Sequence, residues 1–424
     1  MTPLVPNTPK SLIAVLMMAA VTLVISPVVH AQTGCEGDIS GDGRTDGVDL
    51  AIVLTSWGVC SPASSIDGVY PSSGPVAGGT PIAIVGVDLG ATASVTVDGV
   101  LCPKFNVVSS TTVTAVTPPG TVGPKALVLR NSQGQQIAAA SFIYAVTSLP
   151  WATVIEQSTD PAVVTNPKLR EAIAGTGLPW RVRDNGSGIE MLLVPPGNFQ
   201  MGCSSSVAHA CSSDENPVHG VTLTNAFYLG RYEVTQAQWK AKIGSNPSTF
   251  QSESAEVPAA QVPNRPVEQV TWNMIQDFLI ATGMRLPTEA EWECAYRAGT
   301  TTAFHGSSTG SGGTNDDAVV GSIAWFAPNS ASQTRPVGGK APNGLGFHDM
   351  AGNVYERVAD WYLNSYYTNS PRIDPLGPPT GEYRVLRGGS YFSNSEPLRA
   401  SARESTPAPS EPRSDNGFRV ARNP

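Results

Sequence analysis

Near the start of the chain, oxygen-bearing side chains recur at a fixed spacing: Asp38, Ser40, Asp42, Asp46 and Asp49. They take positions 1, 3, 5, 9 and 12 of a loop. Gly43 stands sixth, where such a loop turns sharply, and Arg44 offers its carbonyl from the seventh position. A hard cation needs six or more oxygens, and this spacing wraps them around one point, which points to calcium. The alternative is an Asp/Gly-rich turn that binds nothing. Other chemistries find little footing. His209, His219, His305 and His348 lie in no zinc-type spacing, and His219 reads as ordering a strand edge. There is no Gly-x-Ser-x-Gly elbow and no Walker loop.

The chain that carries these residues has 424 positions, enough for two or three domains. With Gly 42, Pro 36 and only 14% charged residues, it suits loop-rich or β-rich folds better than helical bundles. The formal net charge is -8 and no basic run appears, which argues against a nucleic-acid partner. Residues 1–31 read as a signal peptide. Lys10 is the positive flank, Ser11 to Ile25 is nearly all apolar, and Val29-His30-Ala31 offers small residues for cleavage. An uncleaved anchor is the alternative. No other stretch is apolar enough to span a bilayer, so the expected location is secreted, periplasmic or at the cell surface. In an oxidising compartment six cysteines favour disulfides. Cys35 with Cys60 and Cys203 with Cys211 are candidate pairs, leaving Cys102 and Cys294 as candidate free thiols.

The expected fold class is multidomain, α+β and β. Residues 35–60 hold the calcium loop and the apolar run Leu50 to Trp57, and they resemble one repeat of a dockerin, a small EF-hand-like unit. Dockerins usually carry two such repeats, and only one is found. Residues 64–145 alternate in strand fashion through Thr80 to Val85, Ala93 to Val97, Thr112 to Val116 and Ala126 to Leu129, with Gly/Pro turns between them. That is the signature of a β-sandwich. Tyr70 to Thr80 and Val85 to Gly90 resemble an IPT/TIG immunoglobulin-like domain, read as a spacer or adhesive module. Residues 146–177 are expected to be a linker with one short helix, capped by Asn166 and with Pro167 in its first turn.

From 178 to 424 aromatics cluster and Gly, Asn and Pro punctuate nearly every segment. Helices are expected after Thr235 and after Thr271, and a shorter one after Thr288, where Glu291 completes a capping box. Ordered motifs run through the module: Phe199-Gln-Met201-Gly202, Glu233-Val-Thr235, Arg285-Leu-Pro287-Thr288-Glu289, Asp349 to Glu356, Arg387-Gly388-Gly389-Ser390 and Gly417-Phe418-Arg419. This series is similar to the formylglycine-generating, sulfatase-modifying factor family. The resemblance implies a loop-rich, C-type-lectin-like fold. It also implies a second calcium site, with carboxylates from Asp349 and Glu356 and carbonyls from Gly352 and Val354. The alternative is that both acids only bond neighbouring backbone.

The family's oxidases carry two cysteines just after the Gly-Gly-Ser motif, and these bind Cu(I) through soft thiolates. Here that segment runs Ser390-Tyr391-Phe392-Ser393-Asn394-Ser395-Glu396-Pro397-Leu398-Arg399 and has no cysteine. Ser393 stands about where the first would be, so copper is not expected. Ser390 and Ser393 remain as weak catalytic candidates. The resemblance turns attention to the loop surface around Tyr391, Asn394, Glu396, Arg399, Arg403 and Arg413 as a face for an extracellular protein or carbohydrate ligand. The alternative for Arg399 and Arg403 is that they bridge loops. Two functions compete: a non-oxidase ligand-binding or scaffold protein, and a formylglycine-generating-type enzyme acting on exported proteins by an altered mechanism.

Overall fold

The computed structural model describes residues 63–146, 148–306, 312–405 and 410–424. The expected signal peptide, the dockerin-like loop and the Cys35–Cys60 pair lie outside these residues. The described chain forms two compact units. One runs to Gly120 and includes Lys125–Phe142; the other comprises Thr121–Pro124 and Ile143–Pro424.

The first unit is built from nine strands: β1 Ser65–Tyr70, β2 Ser73–Pro75, β3 Pro81–Val87, β4 Ser94–Val97, β5 Val100–Leu101, β6 Lys104–Ser109, β7 Thr112–Val116, β8 Gly123–Arg130 and β9 Gln136–Ala145. They form two sheets, ordered β1-β3-β7-β6 and β2-β9-β8-β4-β5. Side chains alternate across a strand, so every second residue is sent inward. In β3 these are Ile82 and Ile84; Val95, Val113, Leu127 and Leu129 do the same in β4, β7 and β8. The expected sandwich is therefore present. Cys102 is free and buried, and burial pushes its thiol up to about 11.

The second unit carries the remaining strands: β10 Ala152–Glu156, β11 Arg181–Asp184, β12 Glu190–Val194, β13 Gly197–Met201, β14 His219–Leu223, β15 Phe227–Gly230, β16 Tyr355–Trp361, β17 Arg384–Arg387, β18 Glu404–Ser405, β19 Asn416–Gly417 and β20 Ala421–Arg422. An antiparallel sheet runs β10-β11-β12-β15-β20, so the chain returns at its last strand to the sheet it began. A second sheet runs β18-β17-β16-β19, and β13 pairs with β14. His219 opens β14 at the end of that pairing, opposite Met201. The linker expectation for 146–177 needs correction. Its β10 is an edge strand bonded to β11, and its helix α1 (Pro167–Gly175) buries Ile173, while Val164 is also buried. This stretch belongs to the folded unit.

Helices α2 (Gln236–Ile243), α3 (Trp272–Thr282) and α4 (Glu289–Arg297) start where their side chains dictate. Thr235, Thr271 and Thr288 each accept a hydrogen bond from an otherwise orphaned backbone N–H at the helix start. Glu291 returns the bond to Thr288 N and so completes the expected box. A one-turn helix, α5 (Val320–Ile323), follows. Trp239 of α2 lies flat on Phe278 of α3 at 5.4 Å, and Phe418 meets Phe278 edge-on at 5.5 Å. That aromatic cluster locks two helices to the segment before β20. The expected Cys203–Cys211 disulfide is formed, and Cys294 is free.

Much of this unit is loop, and ion pairs without solvent hold it. Glu293 accepts from Arg297 and Arg387, Arg403 is bonded to Glu289 at 2.7 Å, and Arg399 to Glu215 at 2.7 Å. Burial pushes the Glu215 carboxyl up, but hydrogen bonds from Arg399 and Ser401 hold it below the usual range. Removing one partner of such a pair leaves a buried charge uncompensated, at a cost of about 3–5 kcal/mol. Glu215→Ala is therefore expected to lower stability by about that amount, while the double change with Arg399→Met costs less than Glu215→Ala alone. Urea midpoints test this; additive losses would show that the pair is not coupled.

Asp360 departs from this rule. It is buried, and its Oδ2 accepts from Glu289 N at 2.7 Å. Burial, and then the charge of Glu289, pushes its carboxyl up to about 8. The folded chain thus keeps a proton that the unfolded chain gives up above about pH 4. The fold binds more protons than the unfolded chain in this window, so the stabilisation falls as pH rises towards about 8. Between roughly pH 5 and pH 8 stability should decline in the wild type and decline less in Asp360→Asn. Parallel urea-midpoint profiles for the two proteins would remove the assignment.

Candidate functional site

The segment after β17 passes through two left-handed glycines, Gly388 at φ +88 and Gly389 at φ +71. A Cβ on Gly388 would meet the Met350 carbonyl at 2.8 Å, so the approach of this turn to 350 requires glycine. The turn then closes on its own hydroxyls. Ser390 N donates to Ser393 Oγ at 3.0 Å, the two hydroxyls are 3.3 Å apart, and Phe392 N donates to Ser390 Oγ at 3.3 Å. Ser393 Oγ also faces the Tyr355 hydroxyl at 3.4 Å, which burial pushes up to about 12. The structure brings the two serine candidates together, but as a hydroxyl turn with no general base in hydrogen-bonding contact.

Around this turn the expected ligand-face residues divide into two groups. Tyr391 is largely buried, with its hydroxyl 3.2 Å from Ser414 Oγ and its ring edge-on to Phe250. Phe392, which sequence reasoning passed over, is 69% exposed. Asn394 is exposed and accepts from Glu396 N, and Glu396 is half-buried. Arg413 is exposed and bonded twice to Asp415 at 2.9 Å. Tyr391, Phe392, Arg413, Ser414 and Asp415 line a depression of about 370 Å3. Arg399 and Arg403 do not belong to this face. Each is buried behind it with a carboxylate partner, so they bridge loops, because a guanidinium without solvent needs a fixed counter-charge.

His209 Nε2 lies 2.9 Å from Ser395 Oγ. The same nitrogen faces Asp317 Oδ1 at 3.7 Å, so the carboxylate does not hold the far ring nitrogen as a nucleophile–base relay requires.

A second cluster forms where Asp349 and the following turn meet β16. Asp349 has φ +53 and is buried. Its Oδ2 accepts from Gly338 N at 2.6 Å, while Oδ1 has no hydrogen-bond partner among the described residues. Burial is the main reason its carboxyl is pushed up to about 6. Glu356 is more committed. Arg419 grips both of its oxygens, at 2.6 and 2.7 Å, and Trp292 Nε1 donates at 2.8 Å. Three of its roughly four acceptor positions are therefore taken. Glu233 joins the cluster through Asn353 Nδ2 and Val354 N, and burial, then the charges of Asp349 and Glu356, push its carboxyl well above the usual range. Three acids thus share one guanidinium. Among the described residues no three His, Cys, Asp or Glu side chains converge to hold a metal on their own. A cation at Asp349 would depend on main-chain oxygens such as those of Gly352 and Val354. The orphaned Oδ1 fits that use, and Glu356 fits it less well.

The family resemblance points to Asp349 and Glu356. It gives no sign that Glu233 and Arg419 join them, because nothing local to each residue marks where it converges.

Residues 64–144 match the IPT/TIG domain. Residues 180–424, more than half of the chain, match the sulfatase-modifying factor enzyme 1-like domain. The chain is 41% identical over 167 residues to a formylglycine-generating enzyme of Streptomyces coelicolor, covering 38% of this chain and 53% of that protein. It is 35% identical over 231 residues to the formylglycine-generating enzyme of Thermomonospora curvata, covering 52% of this chain and 72% of that one. It is also 33% identical over 251 residues to the serine/threonine-protein kinase Pkn1 of Chlamydia trachomatis, covering 55% of this chain and 38% of the kinase. The chain thus spans about half the length of the first of these relatives and less of the kinase. With its ordered motifs carried on one mostly-β unit behind an IPT/TIG domain, the chain belongs to the sulfatase-modifying factor enzyme 1-like family.

Proposed function

We propose that this is an exported protein whose family domain binds a ligand rather than oxidising a cysteine. One observation carries the reading. Where the family's copper-binding cysteines are expected, this chain has the Ser390–Ser393 hydroxyl turn. Hydroxyls are hard, weakly acidic ligands and do not replace soft thiolates for Cu(I). Cys294 does not substitute for them: it lies on α4, and burial pushes its thiol up to about 12. The binding face is the depression around Tyr391, Phe392 and Arg413, bordered by Asn394 and Glu396. An exposed aromatic ring beside polar groups suits an extracellular protein or carbohydrate. The competing reading, an enzyme of altered mechanism, draws on the likeness to formylglycine-generating enzymes. Incubating the full chain with a cysteine-containing sulfatase peptide, copper and oxygen decides between them. No formylglycine is expected by mass spectrometry, and its formation would overturn the binding reading.

Calcium has two proposed places. The first is the loop of Asp38, Ser40, Asp42, Arg44, Asp46 and Asp49, outside the described residues. The second is Asp349 with the carbonyls of Gly352 and Val354, supported by the unpartnered Asp349 Oδ1. There a cation would neutralise part of the excess charge of Glu233, Asp349 and Glu356. Calorimetric titration of the wild type, Asp38→Ala and Asp349→Ala should show one site fewer in each variant. Equal stoichiometry in all three would eliminate both assignments.

A further inference from the structure

Most buried arginines of the second unit have a carboxylate within bonding distance: Arg297, Arg387, Arg399, Arg403 and Arg419. Arg357 does not. It has no solvent exposure, and its one hydrogen bond among the described residues is Nη2 to the Glu411 carbonyl at 2.9 Å. Its Nε and Nη1 have no hydrogen-bond partner among the described residues. Burying a guanidinium against one neutral acceptor is costly, and an apolar side chain of similar volume would avoid that cost. Local choices that work against the fold concentrate at functional sites.

The position of Arg357 indicates what it serves. Alternation along β16 places Arg357 on the same face as Tyr355. Tyr355 N donates to Asp415 O at 2.8 Å, and its hydroxyl faces Ser393. Arg357 therefore stands behind the 411–415 stretch whose side chains Arg413, Ser414 and Asp415 line the depression. Arg413 and Asp415 are also the charges that act on it. Burial, then Arg413, pushes its guanidinium down to about 10, against Asp415, so it stays charged at neutral pH. Glu404 acts on Arg413 but is not among the charges acting on Arg357. Asp415 and Glu404 answer Arg413, so the Arg357 guanidinium is the charge of this group left without a bonded carboxylate among the described residues.

We propose that the Tyr391–Arg413 face captures a ligand bearing an oxyanion on an apolar-sided body, with Arg357 as the group that binds the oxyanion. This rests on the ligand-binding reading above and adds the ligand's charge class. The oxyanion replaces the Glu411 carbonyl, a neutral acceptor on an exposed stretch, with a charged one, which makes a shorter and stronger bond to a guanidinium. The body of the ligand lies against Phe392.

Thermal unfolding of the full chain at constant ionic strength tests the proposal. Acetate and glucuronate are compared with sulfate and phosphate, each against chloride, which tells a carboxylate ligand from a sulfated or phosphorylated one. The wild-type midpoint is expected to rise on the order of 5 °C at about 100-fold above Kd for the preferred anion. Arg357→Met is expected to unfold at a higher temperature than the wild type in chloride and to gain nothing from any oxyanion. A purely structural Arg357 would give a less stable variant instead. Should Arg357→Met not fold, Arg413→Gln serves, with a reduced anion response expected. No response in the wild type, or an equal response in the variants, overturns the oxyanion site. Those results leave the ligand-binding reading standing, since only formylglycine production overturns that.

Discussion

The carboxylate of Glu293 is the point on which the second unit turns. Gly202 N and Arg297 donate to one of its oxygens, and Arg387 to the other. Arg387 also reaches the carbonyls of Ala400 and Ala402. One side chain thus joins the end of β13, the helix α4, the strand β17 and the segment after the hydroxyl turn. A domain with so little regular structure cannot rely on ladders of backbone bonds, because its loops leave many backbone groups to be satisfied one at a time. Buried ion pairs do this only when every member is partnered. The same condition makes the second unit intolerant of partial change: a lost partner leaves both a gap in the loop scaffold and a charge without water.

What was legible in the sequence was local. The three threonine caps and the Thr288–Glu291 box act within one turn of helix, so three or four residues reveal them. Cys203 and Cys211 are eight residues apart and needed only a shared loop. The sandwich strands announced themselves by alternation. The buried pairs did not, because Arg387 and Glu293 are 94 positions apart and Arg399 and Glu215 are 184 apart. In sequence, Arg399 and Arg403 look like any two arginines in a polar loop, and only the fold removes them from solvent. The 146–177 stretch reads as a linker in sequence for a related reason. Five residues of β10 form a strand only because β11 presents an edge to them.

The two clusters on which function is proposed share a property. Asp349 and Arg357 are buried charge-bearing groups with polar atoms left unanswered. Many of the unit's other buried charges have long-range partners, as Arg387, Arg399 and Arg403 do, while Arg265 and Glu268 also keep an unpartnered atom. The two proposed sites would therefore take ligands of opposite charge, a cation at Asp349 and an anion at Arg357, in one loop-rich unit. Both sites border the turn at Gly388. Gly352 N donates to the Gly388 carbonyl, and Tyr391 N to the Asn353 carbonyl, so the Asp349 turn and the ligand face share backbone.

The return of β20 to β15 governs the order of events during synthesis. Ala421 and Arg422 complete the first sheet, and Arg422 is bonded to Asp184 of β11. A chain that emerges from its amino end cannot close this sheet until residue 422 has appeared. The sandwich unit, by contrast, has all its strands by Ala145. While the rest of the chain is being made, β15 has no final neighbour on one side, and this apolar strand has to be kept from pairing with others until the last residues are released.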